Sequence, residues 1–141
     1  MTTLPFISLQ TSLTVLRIIT PLFFMAHAIV RILNGSIPQF AGFMGSRGFP
    51  QPLALVWAIT VVELVAGTLM ILGLQVRLAA AALASIALGG IVIIHAKLGW
   101  FVGEHGTGGS EYSVCLLLCL LVIAAAADPA QAKAALRWER G

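Results

Sequence analysis

The chain has 141 residues, enough for one domain, of which 60% are hydrophobic and only 9% charged, against about 25% charged in an ordinary soluble domain. At a mean hydropathy of +1.03, so small a protein cannot hide its apolar surface from water, because small domains have too much surface for their volume; lipid is its solvent. The net charge is +3, yet the basic residues are scattered, with no stripe and no aromatic interleaving, which argues against nucleic acid and for charges set at helix ends.

A helix that crosses a bilayer needs about 20 mostly apolar residues. The first candidate covers about residues 12–33. It has no basic n-region before it and is too long for the core of a signal peptide, so it is read as retained. Residues 34–51 carry Gly35, Pro38, Gly42, Gly45, Gly48 and Pro50. Their apolar middle, 37–44, is read as a non-helical stretch that lies in the interface or dips back into the bundle, where protein or water must satisfy its backbone. A second helix is predicted over about 52–73, a tight turn at Leu74, Gln75 and Val76, and a third helix, antiparallel to the second, over about 77–98. Residues 99–110 form a glycine-rich connection with Glu104 and a solvated His105. The fourth helix, about 111–127, is at the short end of the spanning range, and Asp128 and Pro129 stop it. The tail, 128–141, reads as a short basic amphipathic helix on the membrane surface.

The expected fold is therefore a single all-α domain over 1–141, a transmembrane four-helix bundle in the cell (inner) membrane. With the N-terminus cytoplasmic, Arg17, Arg77, Lys133, Arg137 and Arg140 fall on or near the inner side and Arg31, Arg47 and Lys97 on the outer. Lys and Arg favour the cytoplasmic side, so both termini are placed there.

Ionisable residues within spans are costly and by default point to function. Here they are Arg17 and His27 in the first helix, Glu63 in the second, His95 in the third and Glu111 opening the fourth. At 100° per residue, Arg17, Thr20, Phe24, His27 and Arg31 share an arc of roughly 80°, a stripe expected to face the bundle. Gly67, close to the face of Glu63, is expected to let a neighbouring helix come near. At about 1.5 Å per residue, Glu111 and His95 lie within about 5 Å of the outer boundary, His27 about 9 Å in, Glu63 about 16 Å and Arg17 about 24 Å. If the faces converge, the groups form a descending ladder suited to proton transfer or to a polar head group. Bland readings stand beside this one. Arg17 can snorkel to the inner interface, and Glu63, which needs a partner or a proton, can pair with Arg17 or His27 simply to fix the packing.

No H-x-x-x-H, E-x-x-H or C-x-x-C spacing is present, so no metal is expected. Cys115 and Cys119, one helical turn apart, are read as small packing residues, since a regular helix holds such a pair in poor geometry for a disulfide.

Several stretches in order resemble the DoxX family of small membrane proteins: Leu16-Arg17-Ile18, His27 and Arg31, Phe40-Ala41-Gly42-Phe43, Gly48-Phe49-Pro50-Gln51-Pro52, Val62-Glu63-Leu64-Val65-Ala66-Gly67, Leu72-Gly73-Leu74-Gln75-Val76-Arg77, His95, Gly99-Trp100-Phe101 and Gly108-Gly109-Ser110-Glu111-Tyr112. Each is weak alone; their order and spacing carry the match, from about residue 12 to 130. Arg31 stands where lysine is usual, Ala66 replaces a glycine, and Asp128-Pro129 replaces a closing serine-leucine-aspartate. The resemblance implies a four-helix membrane bundle. It also links the chain to the DoxD-type subunit of thiosulfate:quinone oxidoreductase and to membrane partners in thiol and oxidative-stress handling.

Two functions follow as expectations. One is a membrane oxidoreductase component that holds a quinone or small redox substrate in a polar pocket, with Glu63, His95 and Glu111 in the catalytic role and Arg17, His27, Arg31 and Tyr112 binding the ligand. With no redox cofactor motif in the chain, electrons then come from a partner redox protein or from the substrate itself. The other is a non-catalytic scaffold or assembly partner of a larger redox complex, or a homo-oligomer, in which the buried polar groups specify packing. Solute transport fits less well, since four helices enclose a narrow pore and no broken-helix repeat is present.

Overall fold

The structure, a computed structural model, describes residues 7–103 and 108–128; the readings of Glu104, His105 and the basic tail lie outside them. The described chain is all-α: α1 (Leu9–Leu33), α2 (Ile37–Ser46), α3 (Pro52–Leu72), α4 (Val76–Ile93), a turn of 3-10 helix (His95–Leu98) and α5 (Glu111–Ala126). Helix α1 packs on α3 and α5, and α4 packs on the same two, so the four long helices close a ring, with α2 laid against α3.

Each helix buries one face, as its period demands. In α3 the buried positions Val56, Thr60, Glu63, Gly67 and Met70 step by four and three, one stripe of an α-helix. In α5 Ser113, Leu116, Leu120 and Ile123 do the same. The α4 face is built from Ala79, Ala80, Leu83 and Ala87, small side chains that allow close packing against α5. At Gly67 an added Cβ would lie 2.5 Å from Met25 Cγ, so this glycine does admit α1. Outside the ring the surface is apolar: Ile19, Val61, Val65, Leu78, Leu88, Val92, Leu118 and Leu121 are all exposed. Helices α1, α3 and α4 are long and apolar enough to cross a membrane, and α5 is a shorter apolar helix.

Two elements depart from the expectation. Residues 37–46 are helical, not irregular. Pro38 stands in the first turn of α2, where its missing N–H has no helical partner in any case. Burial of Ile37, Ala41 and Met44 with Val56 outweighs the roughly 1 kcal/mol that each of Gly42 and Gly45 costs a helix. The third long helix ends at Ile93, five residues early. Gly89 and Gly90 followed by four β-branched residues make a poor helix end, and His95 belongs to the 3-10 turn beyond it.

The turn between α3 and α4 is tightly built. Gly73 closes α3 at φ +75°, a left-handed conformation that a side chain disfavours. The Leu74 N–H then reaches back to the Leu69 carbonyl at 2.8 Å, satisfying one of the last orphan acceptors.

Candidate ligand cavity

The best-defined polar contact in the bundle is an ion pair. Glu63 is 4% exposed, and Arg31, from the last turn of α1, donates through Nη1 to Glu63 Oε2 at 2.9 Å and to Thr60 Oγ1 at 2.7 Å. Thr60 in turn donates to the Val56 carbonyl at 2.8 Å. The guanidinium also sits 5.2 Å from the centre of the Phe40 ring, a cation–π arrangement. One side chain thus ties α1, α2 and α3. The sequence points to Arg17 or His27 as the partner of Glu63, and the structure corrects this: the partner is Arg31, a member of the stripe expected to face the bundle. A long side chain near a helix end turns inward when a carboxylate and a hydroxyl lie within its reach.

Beside this pair lies a cavity of about 570 Å³ whose polar lining includes His27, Arg31, Glu63, His95 and Tyr112 and whose walls include Phe24, Phe40, Phe49, Ile59, Ile86 and Leu116. Tyr112, in the first turn of α5, meets Phe23 of α1 edge-on, with ring centres 6.1 Å apart. Both His27 and Tyr112 are exposed, so the cavity reaches the bundle surface where α1 and α5 meet. His95 is half-buried, and its Nδ1 is buried with no hydrogen-bond partner among the described residues. A buried polar atom left unpaired is uncommon and calls for an explanation. Chemically, two imidazoles and a phenol can donate to or accept from a polar head group, while the aromatic and aliphatic walls suit an apolar body.

Two expected members are elsewhere. Arg17 shares the angular stripe of His27 and Arg31 but lies about 21 Å from Arg31 along α1. Its Nη1 donates to the Met70 carbonyl at 2.9 Å, and it lines a separate cavity at the other end of the bundle. Glu111 does not line the ligand cavity. Its Oε1 accepts from the Val102 N–H at 2.9 Å, while the Glu111 and Ser110 N–H groups reach the Trp100 and Gly99 carbonyls, each at 3.1 Å. Together these bonds sew residues 99–102 to the start of α5, where a carboxylate also suits the helix dipole. Cys115 and Cys119 are free thiols. The signal that could have separated Arg17 from the rest was depth: helical angle placed it correctly, and distance along the axis excluded it.

No curated protein and no solved structure matches the chain. A family model described as DoxX matches residues 12–96, a span that takes in His27, Arg31, Glu63 and His95 and stops before Tyr112 and α5. With more than half the chain matched and three helices long and apolar enough to cross a membrane, this is a multi-pass membrane protein that belongs to the DoxX family.

Proposed function

We propose that the cavity binds a quinone-type ligand, with the ring near His27, His95 and Tyr112 and the isoprenoid tail leaving between α1 and α5 toward the lipid. What carries this reading is His95, which lines a predominantly apolar cavity of about 570 Å³ and whose buried Nδ1 has no hydrogen-bond partner among the described residues. Such a nitrogen can hydrogen-bond a ring carbonyl, or its proton, when the ligand is in place. The Arg31–Glu63 pair forms the polar end of the site and holds its walls together. Reduction of a quinone to a quinol takes up two electrons and two protons; the electrons come from a partner redox protein or a small donor, and the histidines pass the protons. In this reading α5 is a fourth, short span and both termini are cytoplasmic in the inner membrane, as the distribution of Lys and Arg favours.

Titration of the detergent-solubilised protein with a short-tailed ubiquinone analogue, followed by quenching of Trp57 and Trp100, tests the proposal. Saturable quenching is expected. His95→Ala and Tyr112→Phe should each weaken it about five-fold, the equivalent of roughly 1 kcal/mol for one hydrogen bond. Quenching that never saturates, or that ignores both substitutions, sinks it.

One observation favours a second reading, a non-catalytic scaffold for a larger redox complex. Arg31, Glu63 and Thr60 satisfy one another without any ligand, as packing residues do. Under that reading His95→Ala is silent in the titration, and gentle extraction retains a stable partner protein.

A further inference from the structure

At the opposite end of the bundle from His95, a second cavity of about 640 Å³ lies among the start of α1, the α3–α4 turn and the end of α5. Its lining mixes apolar residues with the polar Gln10, Thr14, Arg17, Gln75 and Arg77, and the site described above uses none of these residues. Arg17 is held in place, not loose: Nη1 is fixed on the Met70 carbonyl at 2.9 Å, and the remaining N–H groups of its fork have no protein acceptor among the described residues. A guanidinium presents its donors as a rigid planar fork that matches the oxygens of a phosphate. Arg77 adds a second cation, with its side chain 63% exposed and Nη1 3.7 Å from Asp128 Oδ2. Both arginines line the cavity, and Asp128, the carboxylate beside Arg77, is not part of its lining.

The carbonyl ends of α3 and α5 also face this level. Arg17 answers the first of them, and the first turn of α4, which has no side-chain cap, adds its free N–H groups. Leu72, Leu74 and Leu78 are exposed at the same turn, by 54% or more. The cavity therefore stands where a polar end region meets apolar surface, the level of lipid head groups.

We infer that this cavity binds a phosphate oxyanion between Arg17 and Arg77. The exposed leucines beside it favour the head group of an anionic phospholipid over free phosphate as the source. The inference is independent of the quinone reading, because no residue is shared.

The test is lipid retention by the full-length protein in mild detergent, counted by native mass spectrometry with phosphatidylglycerol and phosphatidylcholine offered at equal concentration. A parallel arm measures thermal stabilisation by inorganic phosphate. Preferential retention of phosphatidylglycerol is expected. Arg17→Gln and Arg77→Gln should each weaken it about five-fold, the factor equivalent to about 1 kcal/mol per basic residue at a membrane surface. Stabilisation by inorganic phosphate that depends on Arg17 or Arg77, without lipid preference, supports the same site with free phosphate as its ligand. Because Arg17 also caps α3, Arg77→Gln, on an exposed side chain, decides where the Arg17 variant fails to fold. Asp128→Asn should tighten retention, a gain that misfolding does not produce. Equal retention of both lipids with no phosphate effect, or a preference that both arginine variants keep, overturns the inference.

Discussion

Replacing Glu63 with glutamine removes the carboxylate that Arg31 reaches at 2.9 Å while keeping the side chain's size. The two side chains are 14% and 5% exposed, so the guanidinium is left with its charge unanswered in a place where water barely reaches. Removing one member of a buried pair costs about 3–5 kcal/mol, whereas replacing both with apolar groups is often neutral. Here Arg31 keeps Thr60 at 2.7 Å and the Phe40 ring at 5.2 Å, the latter worth about 1 kcal/mol, and glutamine still offers an acceptor. The expected loss for Glu63→Gln is therefore at the low end, about 3 kcal/mol. The double variant Arg31→Met with Glu63→Leu is expected within about 1 kcal/mol of wild type. Unfolding in mixed micelles of rising SDS fraction, followed by far-ultraviolet circular dichroism, measures all of these. A double variant as unstable as the sum of Arg31→Met and Glu63→Leu would refute the reasoning, since the two residues would then contribute independently.

At Gly67, where an added Cβ falls 2.5 Å from Met25 Cγ and 2.7 Å from its sulfur, valine should cost about 2 kcal/mol by forcing α1 off α3. Alanine should cost less, because methionine yields and alanine favours the helix; the same unfolding assay ranks them. Gly73→Ala meets both a φ of +75° and the Arg17 guanidinium, 2.6 Å from the new Cβ. A loss of about 2 kcal/mol is expected, together with weaker phosphatidylglycerol retention in the mass spectrometric assay. Glu111→Ala should free the Val102 N–H, so amide exchange at residue 102 should rise by about ten-fold or more, as loss of a bond to a charged acceptor implies. Unchanged exchange there would show that the carboxylate does not hold the 99–102 segment.

Much of the fold is written in the period and polarity of the chain. The stripe through Val56, Thr60, Glu63, Gly67 and Met70 follows from the pitch of an α-helix, and the close approach at Gly67 follows from its missing side chain. The C-terminal end of α1, the start of α3 and a tight turn including Leu74 and Gln75 are legible for the same reason: a breaker acts on its own neighbours. The α2 helix was not, because proline and glycine count as breakers until position in the first turn and burial against Val56 are taken into account. His95 was misplaced by one element because hydropathy continues past the point where the backbone stops being helical.

The site is where sequence and tertiary structure part. That Arg31, Glu63, His27 and His95 are costly to set against lipid is a property of each residue by itself, so composition and spacing alone direct them toward the bundle, Glu63 into its interior and the others to the lining of the cavity. Which of them meet is a property of register between helices, set by how α1 slides and turns against α3 and by where the chain re-enters at α5. Arg17 points along the same face as Arg31, yet it ends on the Met70 carbonyl at the other end of the bundle, because side-chain pairing requires matching depth as well as matching angle. Local periodicity determines which way a residue faces; only the packed helices decide what it finds there.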